Sequence, residues 1–433
     1  MDSPIIEKVL QFIFSNFQHP KDRRIGVEIE TIFFDNQMRR LPVNPGDQMS
    51  STELVDKLEK HQGRGVGSYS LEPGGQVEWA SAPFVSLHDI QAQLDSHNKG
   101  LRSLCDSYKV FPLGFSLDPI YSPEKVKLIN IKKYQLMNKR FYSTGKHGPW
   151  MMRNTASVQI NIDMTNEKDG ESMAYVADCL QPFGFLLFSN SPFLKGSPAE
   201  NRNLRLEVWN DTDSPRCGNL FDHGIIKHQN LIYSFVEHIL SVPAIFILDN
   251  FLKTRAFGGT LGEWLKSLYN DRTLSDKHIQ SALRQIFTHI RFKSVLEVRG
   301  SDRPPFGYEL APAAFWCGLL TAENVREELR ERVSCWSNIE RKSLNAAALR
   351  LDLSQKGPEG KTCGQWLKII ADCALRGLEE RKRFLKIKSE TVFLESFLES
   401  ALDRAWTLKN QDLFSLESRD LGFFIRENYL KNF

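Results

Sequence analysis

Three segments far apart along this 433-residue chain, Arg23–Asp35, Arg153–Asp163 and Arg291–Gly300, alternate their side chains with a period of two. That is the period of a half-buried strand, with one face turned to a core and the other free to carry polar groups. Ile25, Val27 and Ile29 interleave with Glu28 and Glu30; Val158, Ile160 and Ile162 interleave with Gln159 and Asn161; Leu296 and Val298 interleave with Glu297 and Arg299. Shorter extended pieces are expected around Val66–Leu71 and Gln76–Ala80, after a glycine-rich turn at Gly63–Gly67, and at Val110–Leu117. Helical periodicity fills Pro4–Phe17, Thr52–His61, a stretch N-capped by Ser86 and running to about Tyr108, then about Met173–Phe188, His228–Leu240 and Leu274–His289. From Tyr308 onward the pattern is mostly helical. No regular β-α-β beat joins these pieces, so the expected fold class is α+β with an antiparallel sheet. The pattern divides the chain into a core over residues 1–320 and a mostly helical part over 321–433 packed on it.

Composition removes several function classes. Fifty-six Lys and Arg against 53 Asp and Glu leave a formal charge of +3, too little for a general polyanion binder, so no nucleic-acid partner is expected. No run reaches the roughly 18 apolar residues of a membrane span. The first residues lack the basic region of a signal peptide, and the seven cysteines form no CxxC spacing. Reduced thiols and a cytoplasmic location are the expectation, as monomer or homodimer. There is no G-x-x-x-x-G-K-[ST], no G-x-S-x-G and no H-E-x-x-H, and Ser68 spoils G-x-G-x-x-G in Gly63–Gly67.

The acidic strands carry the remaining chemistry. Glu28 and Glu30, two apart on a strand, project to one face about 6–7 Å apart, where hard divalent cations would relieve their repulsion. The same pair could face solvent, but the apolar flanks argue for a lined cavity. Glu72 and Glu78 bracket a Pro73-Gly74-Gly75 turn in which glycine lets the chain approach a ligand closely, or simply makes a hairpin. Glu297 and Arg299 share a face as a structural ion pair or as a metal ligand beside a phosphate-binding guanidinium, with Arg291 and Lys293 continuing a positive row on the same strand. Arg205, near Trp209 in a polar turn, and Arg153, at the head of the Gln159 strand, could each hold a carboxylate or be surface charges. Acids on separate strands with arginines beside them suit nucleoside triphosphate chemistry outside the P-loop plan.

Five ordered blocks carry a family resemblance. They are Ile25–Glu30, Leu71–Glu78 continuing to Ser81-Ala82-Pro83, Met152–Asn161, Ser189–Phe193 followed by Trp209–Asp213, and Leu296–Asp302 with Pro312–Leu320 after it. In these the chain resembles the glutamate–cysteine ligases (γ-glutamylcysteine synthetases) of plants and many proteobacteria. The resemblance implies a glutamine-synthetase-like fold, a curved antiparallel sheet forming a funnel surrounded by helices. It implies Mg²⁺, as two or three ions, on Glu28, Glu30, Glu72, Glu78 and Glu297. It also implies substrate contacts at Arg205, Arg153, Gln159 and Trp209, and ATP contacts at Arg299, Lys293 and Gln159. Arg299, Glu297 and Arg205 take the catalytic roles. The implied reaction is ATP-dependent amide formation between the γ-carboxylate of glutamate and the amine of cysteine through a γ-glutamyl phosphate, the first step towards glutathione or a related thiol. A ligase with a different amine acceptor, or a non-catalytic relative, would carry the same blocks. Departures from the plant pattern at Ile29, Thr31 and Arg303-Pro304 are expected to alter the metal surroundings and the acceptor pocket.

Overall fold

The computed structural model describes residues 3–62, 67–200, 203–401, 411–412, 414–415 and 420–428; most of the Gly63–Gly67 turn lies outside them. Seven strands make the main sheet: β1 (Ile25–Asp35), β2 (Ser68–Leu71), β3 (Val77–Ala80), β4 (Val110–Leu113), β5 (Ser157–Ile162), β6 (Ile290–Phe292) and β7 (Leu296–Asp302). Their order is β6-β7-β5-β1-β3-β2, with β4 pairing the far half of β1, and every pairing is antiparallel. The sheet is open rather than closed into a barrel, and helices cover its apolar face, as the α+β expectation requires.

That apolar face explains the alternation. Ile25, Val27 and Ile29 lie in one core with Val158, Ile160, Ile162, Leu296 and Val298. The helix Glu167–Phe188 packs beneath them with almost every side chain buried. It starts six residues before the expected Met173, because the Asn166 side chain accepts from Asp169 N at 3.0 Å and caps it there. Pro182 sits inside it, tolerated because burial rather than backbone bonding alone holds the helix. The helix Leu87–Tyr108 begins where Ser86 accepts from His88 N and ends at Lys109 in the left-handed conformation.

Other expectations need correction. The segment Arg291–Gly300 is a hairpin, not one strand: Lys293-Ser294-Val295 turn, so β6 runs back against β7 and Arg291 pairs with Glu297. Arg153 does not head β5, because Pro149 just after a helix start leads residues Gly148–Asn154 into a helical turn first. The stretch around Arg205 and Trp209 is the helix Leu204–Asn210, and the polar residues after it, Asp211 and Thr212, make the turn. Helix Asp276–Leu283 stops short of His289, and Phe287–Thr288 pairs in parallel with Cys217–Gly218 instead. β4 ends at Leu113, ahead of Gly114.

The later helices are seated on this core by close contact. Helices Ala311–Thr321 and Cys363–Leu385 cross where a Cβ on Gly377 would lie 1.9 Å from the Gly318 carbonyl oxygen. Only glycine allows that approach. The buried Glu390 carboxylate joins Arg381 at 2.7 Å to Leu87 N at 2.7 Å, tying the C-terminal helices to the N-terminal half. No helix among the described residues is long and apolar enough to cross a membrane.

Candidate active site

The polar face of the sheet collects the residues that the alternation singled out. Glu28 on β1 stands opposite Gln159 on β5, Glu30 opposite Glu78 on β3, and Glu297 on β7 opposite both Asn161 on β5 and Arg291 on β6. This face floors a cavity of about 670 Å³. Its far wall is formed by the helices Lys132–Thr144, Leu204–Asn210 and Asp276–Leu283 and by the hairpin around Leu248–Thr254.

At one end, single carboxylate oxygens of Glu30, Glu72 and Glu78 lie within 4.8 Å of one another. Burial, then the neighbouring Glu78, pushes Glu30 up to about 7. Burial and Glu30 push Glu72 up to about 7, and burial with Glu28 and Glu72 pushes Glu78 up to about 8. Crowded carboxylates of this kind are strained against one another unless a cation joins them, so the donor set fits a hard divalent ion with oxygen ligands. Glu28 adjoins the group and accepts from Asn161 Nδ2 at 3.0 Å. Gly74 and Gly75 set Glu72 in place. The close approach they permit is to the protein's own chain: Gly74 packs on the Arg153 backbone, and Gly75 turns at φ 84°.

At the other end, Glu297 is fully buried beneath the floor, apart from the three-carboxylate group. Its carboxylate meets Arg291 Nε at 2.5 Å, Lys293 Nζ at 2.5 Å and Arg299 Nη1 at 3.1 Å. Burial alone would raise its pKa; Arg291, Lys293 and Arg299 instead hold it well below the carboxylate range. Gln159 joins the two ends. Its Nε2 donates to Glu30 Oε1 at 2.9 Å, while its Oε1 accepts from Arg299. Arg205 donates to the carbonyls of Gly300 at 3.1 Å and Arg299 at 3.2 Å and lines the cavity; Trp209, one turn on, lines it too and packs on Phe287.

Two expectations fail on position. Arg153 does not line this cavity: its guanidinium donates to Val126 O at 3.1 Å and Asn138 Oδ1 at 2.8 Å, beside a separate surface depression. The helical turn that precedes β5 points it away. The departures Ile29 and Thr31, beside Glu28 and Glu30 in sequence, turn to the other face of β1, and Arg303, expected to reshape a substrate pocket, lies with them and not at the cavity. They line one small buried pocket on the opposite face, where Arg303 Nε lies 3.4 Å from Thr31 Oγ1. Residues that the strand pattern did not reveal also line the cavity: Lys133 and Tyr134, and Lys277, Gln280, Ser281 and Arg284. The last four are spaced i, i+3, i+4, i+7, a polar stripe legible in the sequence once Leu274–His289 is read as a helix.

A family model described as glutamate–cysteine ligase family 2 matches residues 24–377, most of the chain. The chain belongs to this family. Glutamate–cysteine ligase A, chloroplastic, of Oryza sativa subsp. indica is 28% identical over 358 residues, covering 78% of this chain and 71% of the relative. The chloroplastic glutamate–cysteine ligase of Medicago truncatula is 31% identical over 289 residues, 65% of this chain and 56% of the relative. Among solved structures, the glutamate–cysteine ligase of Francisella tularensis in complex with AMP superposes with a TM-score of 0.58. It is 12% identical and is matched over 96% of this chain and 89% of that one, a likeness of fold. The family matched spans every block on which the resemblance rested, from Ile25 to Leu320.

Proposed function

We propose that this chain joins the γ-carboxylate of L-glutamate to the amine of L-cysteine, using ATP and Mg²⁺, through a γ-glutamyl phosphate. The single observation that carries the reading is one continuous polar face on which Gln159 bridges Glu30, in a group of crowded carboxylates, and Arg299, in a group of cations.

Glu30, Glu72 and Glu78 would hold the divalent ion, with Glu28 beside them. When bound, it neutralises these carboxylates and draws charge from the phosphoryl oxygens. The protein's own groups do the rest. Arg291, Lys293 and Arg299 share the Glu297 carboxylate, and Lys293 also lies 3.9 Å from Glu28, so three positive charges meet two negative ones and a positive surplus faces the phosphates. Arg299 is the best placed of them, held by Gln159 and Glu297 so that its orientation is set before substrate arrives. In the first step a γ-carboxylate oxygen bonds to the terminal phosphorus, the bond to the bridging oxygen breaks, and ADP leaves. In the second the amine nitrogen bonds to the acyl carbon, inorganic phosphate leaves, and the amine gives up a proton. Arg205, beside Trp209, holds a substrate carboxylate at the cavity wall.

ADP release measured with glutamate plus each of several amines tests this directly. Turnover strictly dependent on glutamate and largest with cysteine supports it. Turnover with another amine but not cysteine points to a different acceptor, and none with any amine overturns the reading.

A further inference from the structure

The helix Asp276–Leu283 presents two faces. His278, Ile279, Ala282 and Leu283 are buried, whereas Lys277, Gln280, Ser281 and Arg284 line the cavity. The helix is fixed from both sides. A Ser275/His278 capping box holds its start, and His278 Nε2 lies 3.3 Å from Asp249 O in the adjoining hairpin. The stripe is therefore mounted on a rigid element rather than on a freely moving surface.

Its charge is unbalanced. The cations already described each have a carboxylate partner: Arg291, Lys293 and Arg299 share Glu297, Lys293 also lies 3.9 Å from Glu28, and Arg205 lies 3.4 Å from Asp302. Among the described residues, neither Lys277 nor Arg284 makes a side-chain hydrogen bond or ion pair. Arg284 instead faces another cation: burial pushes the Lys133 ammonium down, Glu72 opposes this, and Arg284 adds to it. Lys133 has the Glu72 carboxylate to offset its charge, whereas among the described residues Lys277 and Arg284 have no ion-pair partner, and unpaired cations at a cavity wall attract an anion between them.

We infer that Lys277 and Arg284, with Lys133 on the lining of the same cavity, form a clamp for an anionic oxygen group of a substrate, a phosphate of the nucleotide or a carboxylate of an amino acid. It deepens the ligase reading and rests on it. The clamp touches substrate but not the reacting bonds, so its loss weakens binding and leaves the chemical step. Arg's planar fork suits either oxyanion, and lysine supplies a point charge beside it.

The test is steady-state ADP release by the full chain, with ATP, glutamate and cysteine varied in turn, for Lys277→Ala, Arg284→Gln and Arg284→Lys. Equilibrium binding of Mg·ATP and of glutamate is measured on the same proteins. The expected result is a rise of about 10- to 100-fold in the KM of one substrate for Arg284→Gln, with kcat nearly unchanged. Arg284→Lys should recover much of it. The substrate whose KM moves identifies the anion: ATP means phosphate, and either amino acid means carboxylate. Unchanged KM values and unchanged binding in every variant overturn the clamp while leaving the ligase reading intact. An inactive parent overturns the ligase reading instead, and the binding measurements then decide the clamp.

Discussion

Glu30 on β1 and Glu78 on β3 are direct cross-strand partners, two carboxylates set opposite each other on one sheet face. Like charges in that relation destabilise a sheet, and here Glu72 crowds them further. Glu78→Gln should therefore stabilise the metal-free protein by about 1 kcal/mol, a rise in Tm of roughly 2 °C. The same variant should lose most of the Mg²⁺-dependent rise in Tm of the parent. Thermal melts of both proteins across a magnesium titration measure the two effects together. A variant that keeps the full magnesium response would remove Glu78 from the metal-holding group.

Glu297→Gln acts through the opposite imbalance. The substitution keeps the shape of the side chain but leaves Arg291, Lys293 and Arg299 without the carboxylate they share. Removing one partner from a buried ion pair costs about 3 kcal/mol or more, because the remaining charges stay desolvated. The expected outcome is a Tm several degrees lower together with loss of ADP release. Its mark is that added magnesium does not restore stability. A Tm equal to the parent's would mean that the three cations are held by other groups.

Which residues share the site's floor was legible because strand alternation is a local signal. Glu28, Glu30, Gln159, Glu297 and Arg299 all occupy the face that a period of two assigns them. The Ser86 cap was legible for the same reason, since a cap acts over three residues. What the alternation could not give is register. That Glu30 meets Glu78, or that Arg291 folds back on Glu297, depends on a turn at Lys293–Val295 that a uniform alternating run conceals. Arg153 was misplaced because a single helical turn before β5 rotates it away from the strand's polar face. The departures at Thr31 and Arg303 meet across 272 residues of sequence, a contact that no local pattern encodes.

Gly377→Ala tests how the C-terminal helices are seated. The added methyl would lie 1.9 Å from the Gly318 carbonyl oxygen, and the clash is with backbone, so no side chain can swing aside. The helices must separate along a crossing in which Gly318 in turn approaches the Ala374 carbonyl. Overpacking of this kind costs about 2–3 kcal/mol. The variant should melt several degrees below the parent, with the KM values of its folded fraction unchanged because the contact lies on the core side of the sheet. A melt indistinguishable from the parent's would show that the crossing can widen freely.

His97 sets an acid limit on stability. It is buried behind the sheet, its Nδ1 lies 2.8 Å from the Tyr69 hydroxyl, and its ring stacks on Trp79 at 5.3 Å. Burial, reinforced by the charge of Arg303, pushes it from an ordinary 6.5 down to about 3. The unfolded chain therefore takes up a proton that the folded one refuses. The contribution of the neutral ring is complete above pH 6.5 and is lost progressively as the pH falls towards 3, a few kcal/mol in all. Gln in its place can still bond the tyrosine hydroxyl but cannot titrate. Melting curves of the parent and His97→Gln, taken at intervals from pH 7.5 to pH 4, should converge as the medium becomes acidic, because only the parent loses this part of its stability. Parallel curves over that interval would mean that His97 stays solvated enough to protonate in the folded state.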